Sequence, residues 1–252
     1  MPPLPTFVPR VEILPVAQRT LWSDLAGLGA LGYVLYGGTA LALRLGHRPS
    51  VDFDFFSDRS LDKAALRAAC PFIARSTVLQ DSPDTFTVLT PLTPLTPLMP
   101  PDHPDPNAAR AAELTPRDEV KLSFFGGIGF GRVGVPELTA DGVAQVASLD
   151  DLMATKLKVL LQRVEAKDYV DIAALLTHGV ALDRGLAGAR LLFGPAFQPS
   201  ECLKALVYFH GGDLETLSPE IQQNLIGAAA AVGPLPQLTL VAPTLALPGG
   251  PH

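Results

Sequence analysis

Cysteine is nearly missing from this chain: Cys70 and Cys202 are the only two in 252 residues, far apart and outside any metal-ligand spacing. That excludes a disulfide scaffold and a cysteine-zinc module, and it leaves two buried, reduced thiols as the expectation. Charge is also scarce. Only 17% of residues are charged and the formal net charge is −6, so there is no overall basic footprint for nucleic acid, and contact with one requires a local basic patch. Long apolar runs are absent too. No stretch approaches the roughly 20 residues of a membrane span, and Met1-Pro2-Pro3-Leu4-Pro5 has neither the basic start nor the apolar stretch of a secretion signal. A cytoplasmic protein with no membrane partner is therefore expected. With 48% hydrophobic residues the chain is not disordered as a whole and can bury the core of one large or two small domains.

Proline, by contrast, is abundant and unevenly placed, at 25 residues. Pro91-Leu92-Thr93-Pro94-Leu95-Thr96-Pro97-Leu98 runs into Pro100-Pro101-Asp102-His103-Pro104-Asp105-Pro106. Proline lacks the donor that a sheet interior needs, so residues of about 91–112 read as an insertion into the first domain. Residues 1–9 and 233–252, rich in proline and glycine, read as loose tails. Between them the pattern predicts a core over 10–146 and a helical region over 147–232. Strands are expected at 32–36, 50–56, 72–79, 85–89 and 119–125. Helices are expected at 15–28, at 39–45 with Gly46 as its stop, at 61–69 with Ser60 as cap, at 148–163 and at 165–177. The fold class is α+β: a small mixed sheet with flanking helices, followed by a helical C-terminal half.

Two features of the first half carry chemistry. Asp52 and Asp54, two residues apart in an apolar run, point to one face of a strand about 7 Å apart, while Val51, Phe53 and Phe55 point to the other. A lone Asp-x-Asp is more simply a solvated row on an edge strand; the three Phe tie this one to a core, where paired carboxylates repel unless a cation or water lies between them. Upstream, Gly37-Gly38-Thr39 sits at a strand-to-helix junction. Such a glycine pair lets a ligand reach the backbone, and the helix start offers N–H groups and a positive dipole end to an anion. With Arg48 and Ser50 in the loop between, the two features describe a site for a nucleotide and Mg²⁺ or Mn²⁺ held by Asp52 and Asp54.

The stretch GGTALALRLGHRPSVDFDFF, residues 37–56, resembles the nucleotidyltransferase signature of the AbiEii/AbiGii-type toxin family, a branch of the DNA polymerase β-like nucleotidyltransferase fold. Residues 147–157 (ASLDDLMATKL) and 167–172 (KDYVDI) resemble that family's later motifs in order and spacing, and the likeness extends weakly to 203–209. From pattern alone, Lys156 lies within the apolar stripe of its helix, whereas Lys158 falls outside it. Such a lysine either snorkels to solvent or meets an acidic or phosphate partner; the resemblance implies the nucleotide phosphates. Asp168 and Asp171 share one outward side of the next helix, with Tyr169, Ile172, Ala173 and Leu176 as its packing face. They read as a solvated acidic row by pattern and as functional by resemblance, with Asp171 ahead of Asp168.

The fold family further implies a third carboxylate on a later strand, where this chain has Ser123, a poor Mg²⁺ ligand and no base at neutral pH. Either another acid substitutes, Asp168 or Asp171, or Asp52 and Asp54 suffice, or the chain is impaired. The activity implied is transfer of a nucleoside monophosphate from an NTP to a tRNA or protein acceptor, by the toxin of a toxin–antitoxin or abortive-infection system with a cognate antitoxin. Arg110, Arg117 and Arg132 are candidates for a basic groove. The alternative is a catalytically impaired nucleotide- or partner-binding module of the same fold.

Overall fold

The computed structural model describes residues 4–91 and 119–247. The chain lays down β1 (Thr6–Phe7), α1 (Val16–Leu21), β2 (Val34–Tyr36), α2 (Gly37–Leu45), β3 (Asp52–Phe56), α3 (Lys63–Ala69), β4 (Thr77–Asp81), β5 (Thr85–Pro91) and β6 (Glu119–Phe125). Then follow β7 (Glu137–Thr139), β8 (Gln145–Val146), α4 (Leu149–Leu160), α5 (Ala166–Thr177), α6 (Leu182–Phe193), α7 (Pro199–Leu206) and α8 (Pro219–Ala230). Among the described residues the strands form one mixed sheet in the order β1-β7-β8-β2-β3-β6-β5-β4. The α+β class with a helical C-terminal half holds. No helix among the described residues is long and apolar enough to cross a membrane.

The sheet's centre is set by aromatic alternation. Phe53 and Phe55 on β3, Phe86 on β5 and Phe124 on β6 are fully buried on one face, with Phe55 stacked on Phe124 at 5.8 Å between ring centroids. Burying four such side chains contributes on the order of 2 kcal/mol each. β3 lies antiparallel to β2 and parallel to β6, with Asp52 opposite Lys121, Asp54 opposite Ser123 and Phe56 opposite Phe125. This register fixes what stands beside each carboxylate.

Several expectations need correcting. The strand foreseen at 72–79 begins as a 3-10 helix, Pro71–Arg75, because Pro71 presets a helical φ at its start; only then does β4 follow. The helix foreseen over 15–28 is α1 continued by a 3-10 helix, Trp22–Leu28. On α3 the cap is Asp62 rather than Ser60, its carboxylate accepting from the N–H groups of Ala64 and Ala65. Neither tail is wholly loose. β1 pairs with β7, and at the other end Leu245 is 1% exposed. The main chain there is tied down by Val241 N–H to Arg132 O, Leu245 N–H to Asp58 and Leu247 N–H to Gln145. The proline-rich insertion falls, apart from Pro91, outside the described residues.

At α4, Ser148 caps the helix by accepting from the Asp151 N–H. The Asp151 carboxylate, instead of reaching back to the Ser148 N–H, accepts from Val133 and Gly134 N–H at 2.7 and 3.2 Å and from the Ser148 hydroxyl at 2.6 Å. Burial pushes its pKa up despite these three donors. It is a structural carboxylate that fixes the loop before β7 to the helical half.

Candidate active site

The junction of β2 and α2 is built on glycine for two separate reasons. Gly37 has φ +75°, in the left-handed region, and a Cβ there would come within 2.7 Å of the Asp54 Oδ2. At Gly38 a Cβ would lie 2.8 Å from the Ser50 Oγ and 2.9 Å from the Arg48 Nη2. The turn thus closes directly onto the carboxylate strand and onto the basic loop. Thr39 does something other than expected. Its side chain is buried and its hydroxyl donates to the main-chain oxygen of Asp52, so it pins β3 to α2 instead of facing a ligand.

Asp52 and Asp54 do share one face, opposite the buried Phe53 and Phe55. Asp54 is held above the usual carboxylate range by burial and by the Asp52 charge beside it, with Lys121, Lys156 and the Ser123 hydroxyl pulling the other way. Lys121 forms an ion pair with the Asp52 Oδ2 at 3.0 Å. Ser123 stands opposite Asp54, the position at which the fold family implies a third carboxylate. No cluster of three or more His, Cys, Asp or Glu side chains among the described residues is placed to hold a metal ion. The two carboxylates nonetheless fit a divalent cation. Mg²⁺ commonly takes one or two carboxylates and completes its shell with substrate phosphates and water, and a cation at this point relieves the repulsion that raises Asp54.

The second half of the chain supplies the opposite wall. Lys156 is buried within the apolar stripe of α4, as the spacing required, and its ammonium lies 2.8 Å from Asp168 Oδ1 and 2.6 Å from Asp171 Oδ2. Both carboxylates are fully buried, so the outward acidic row is corrected. The helical wheel gave their shared direction rightly, but α5 packs against α2, α4 and α8 and leaves that side no solvent. Asp168 also accepts from Arg163 Nε at 2.8 Å and Nη2 at 3.0 Å. Asp171 accepts from Arg48 Nε and Nη2, both at 2.7 Å, and from the Nε2 of His47 at 2.7 Å. Burial raises both acids, yet these donors outweigh it and hold both below the ordinary range, Asp171 far below. An ionised Asp171 only accepts, which makes His47 Nε2 the donor.

Between these walls lies a cleft of about 430 Å³. Its lining includes Gly37, Gly38, Arg48, Ser50, Asp52 and Asp54 from the first half and Lys156, Arg163 and Lys167 from the second. Thr39, Asp168 and Asp171 do not line it; they hold the residues that do. Sequence reasoning missed Lys121, Arg163 and Lys167 as cleft residues. Arg163 lies in the loop beyond α4, which ends at Leu160, so helical spacing gave no sign of it. Arg132, a candidate for a basic groove, is buried, with its guanidinium on the main-chain oxygens of Thr244 and Gly134; Arg110 and Arg117 lie outside the described residues.

The family resemblance of residues 37–56 and 147–172 is supported by comparison with known proteins. The chain is 28% identical over 166 residues to an uncharacterised protein of Aquifex aeolicus, aq_aa25, spanning 64% of this chain and 67% of that one. The family model described as nucleotidyl transferase AbiEii toxin of type IV toxin–antitoxin systems matches residues 22–223. That match takes in every side chain lining the cleft, so the chain belongs to the AbiEii nucleotidyltransferase toxin family.

Proposed function

We propose that the cleft binds an NTP with Mg²⁺ or Mn²⁺ and transfers its nucleoside monophosphate to a hydroxyl acceptor in the cytoplasm. One observation carries this reading: an overall acidic chain, at −6, places Arg48, Lys121, Lys156, Arg163 and Lys167 around Asp52 and Asp54 in a single cleft. That pattern suits a polyanion delivered to a pair of carboxylates. Asp52 and Asp54 would hold the divalent ion, which supplies charge neutralisation at the reacting phosphate and a template for orientation. Gly37, Gly38 and Ser50 take the triphosphate at the start of α2, with Arg48 and Lys156 neutralising its charge.

The acceptor hydroxyl attacks the α-phosphorus in line; its bond to phosphorus forms as the α–β bridging bond breaks and pyrophosphate leaves. Among the described residues the carboxylates lining the cleft are Asp52 and Asp54, and one of these receives the hydroxyl's single proton. Catalysis is chiefly positioning and electrostatics. Asp168 and Asp171 act as positioning residues, aiming Lys156, Arg163 and Arg48. The exposed Arg163 and Lys167 form the rim by which a tRNA 3′ end, or a protein acceptor, approaches. As in other toxins of this type, a cognate antitoxin is the expected partner.

Radiolabelled transfer from each NTP into total RNA and protein tests the proposal. The wild-type chain should label one fraction in the presence of Mg²⁺, and a folded Asp52→Ala/Asp54→Ala double variant should lose metal-dependent nucleotide binding and labelling together. Binding retained by that variant would refute the site. The Asp52–Lys121 ion pair and Ser123 favour a second reading, a binding module without turnover; its signature is metal-dependent NTP binding with no labelling of any fraction.

A further inference from the structure

One part of the cleft has no role in phosphate or metal chemistry. Phe56 and Phe125 stand opposite each other in register on the same face as Asp54 and Ser123, one strand step beyond them, about 7 Å along β3. Their partners on the buried face are sealed in the core, whereas Phe56 and Phe125 are only half-buried. Phe56 is backed by Tyr36, stacked on it at 4.8 Å with 14° between planes, and meets Phe125 edge-on at 5.0 Å and 77°. All three rings line the cleft. The same cleft is also lined by Thr155, Val159 and Gln162, spaced four and three apart along α4 and its closing turn. The exposed Gln162 amide offers both a donor and an acceptor.

We propose that this aromatic row is a nucleobase seat and that it takes the base of the NTP donor. Along β3 the cleft is ordered: Gly38, Arg48 and Ser50 at one end, the two carboxylates in the middle, and the rings at the other end. A nucleoside triphosphate has the same order of polyanion, reacting phosphorus and flat apolar base. Phe125 supplies the stacking surface, with the Phe56–Tyr36 pair fixing its position, and Gln162 reads the base edge. Aromatic stacking accepts any base, so choice among bases rests on Gln162. The inference rests on the transferase reading and extends it to donor recognition.

Calorimetric titration with Mg²⁺ present, using inorganic tripolyphosphate, the four NTPs and a short single-stranded RNA, tests it on the full chain. Phe125→Leu keeps apolar volume but removes the ring. It should weaken the preferred NTP about tenfold, the scale of one lost base stack, and leave tripolyphosphate binding unchanged. Gln162→Ala should narrow the spread among the four NTPs. NTP affinity untouched by Phe125→Leu would overturn the seat, as would an equal loss for tripolyphosphate. Weakening of the RNA alone would overturn the donor assignment in favour of an acceptor base. A wild-type chain that binds neither tripolyphosphate nor any NTP would overturn the transferase reading itself, a result distinct from all of these.

Discussion

Asp171 ties two parts of the chain together, holding His47 and Arg48 from the loop after α2 and Lys156 from α4. Its depressed pKa has a consequence for stability with a definite sign. A carboxylate held below its ordinary value of 3.8 stabilises the fold fully above that value and loses the contribution as pH falls through the folded-state pKa. Asp168 acts in the same direction. Asp151 and Asp54, raised by burial, act in the opposite one, so acid relieves part of their cost. Asp171→Asn should therefore destabilise the protein by about 3–5 kcal/mol at pH 7, the usual result of leaving buried cations uncompensated. Urea denaturation of both proteins at pH 7 and pH 3 measures this, and the gap should shrink at the lower pH. A gap that widened on acidification would contradict the assignment of Asp171 as the ionised centre.

At the level of elements, the strand carrying the carboxylates was legible in full, because period-two alternation of Asp with Phe fixes both faces at once. So was the glycine turn, and so was the inward direction of Lys156. What could not be read was which other elements cover a helix. The spacing of Asp168 and Asp171 gives their common direction, while their burial depends on α2 and α4 arriving from elsewhere in the chain. The same holds for Thr39, whose partner is a main-chain oxygen that no side-chain pattern reveals. The strand expected at 72–79 failed because Phe72 and Ile73 are buried by a 3-10 turn as well as they would be by a sheet. Lys156 now has two roles, since it neutralises two buried acids and also faces the cleft. Lys156→Met should lower stability and nucleotide affinity together, whereas Lys158→Met should shift stability by less than about 0.5 kcal/mol. A double-mutant cycle of Lys156→Met with Asp168→Asn, followed by thermal or urea unfolding, should give a coupling above about 1 kcal/mol.

Across the whole molecule, the C-terminal segment belongs to the fold despite its composition. Leu245 is buried, Arg132 bonds to Thr244 O, and the N–H groups of Leu245 and Leu247 donate to Asp58 and Gln145. Proline and glycine in that stretch signalled a lack of regular secondary structure, which is correct, and not a lack of tertiary contact. Removing residues 233–252 should cost about 2–4 kcal/mol, from one lost apolar anchor and a buried Arg132 left short of an acceptor. Urea unfolding of the truncated chain measures it. A midpoint equal to that of the full chain would show that the segment adds nothing.

The Asp171–Arg48 contact also joins residues 123 positions apart, and this bears on how the protein is made. At synthesis rates of roughly 5–20 residues per second, the basic loop leaves the ribosome roughly 6–25 s before the aspartate that aims it. Through most of that interval the glycine turn and both cleft carboxylates have been made, whereas Arg48 has no Asp171 to fix its direction and Lys156, only 15 residues before Asp171, is still to come. The cleft is thus completed late in synthesis, since its basic loop gains a fixed direction only once residue 171 of 252 has been made.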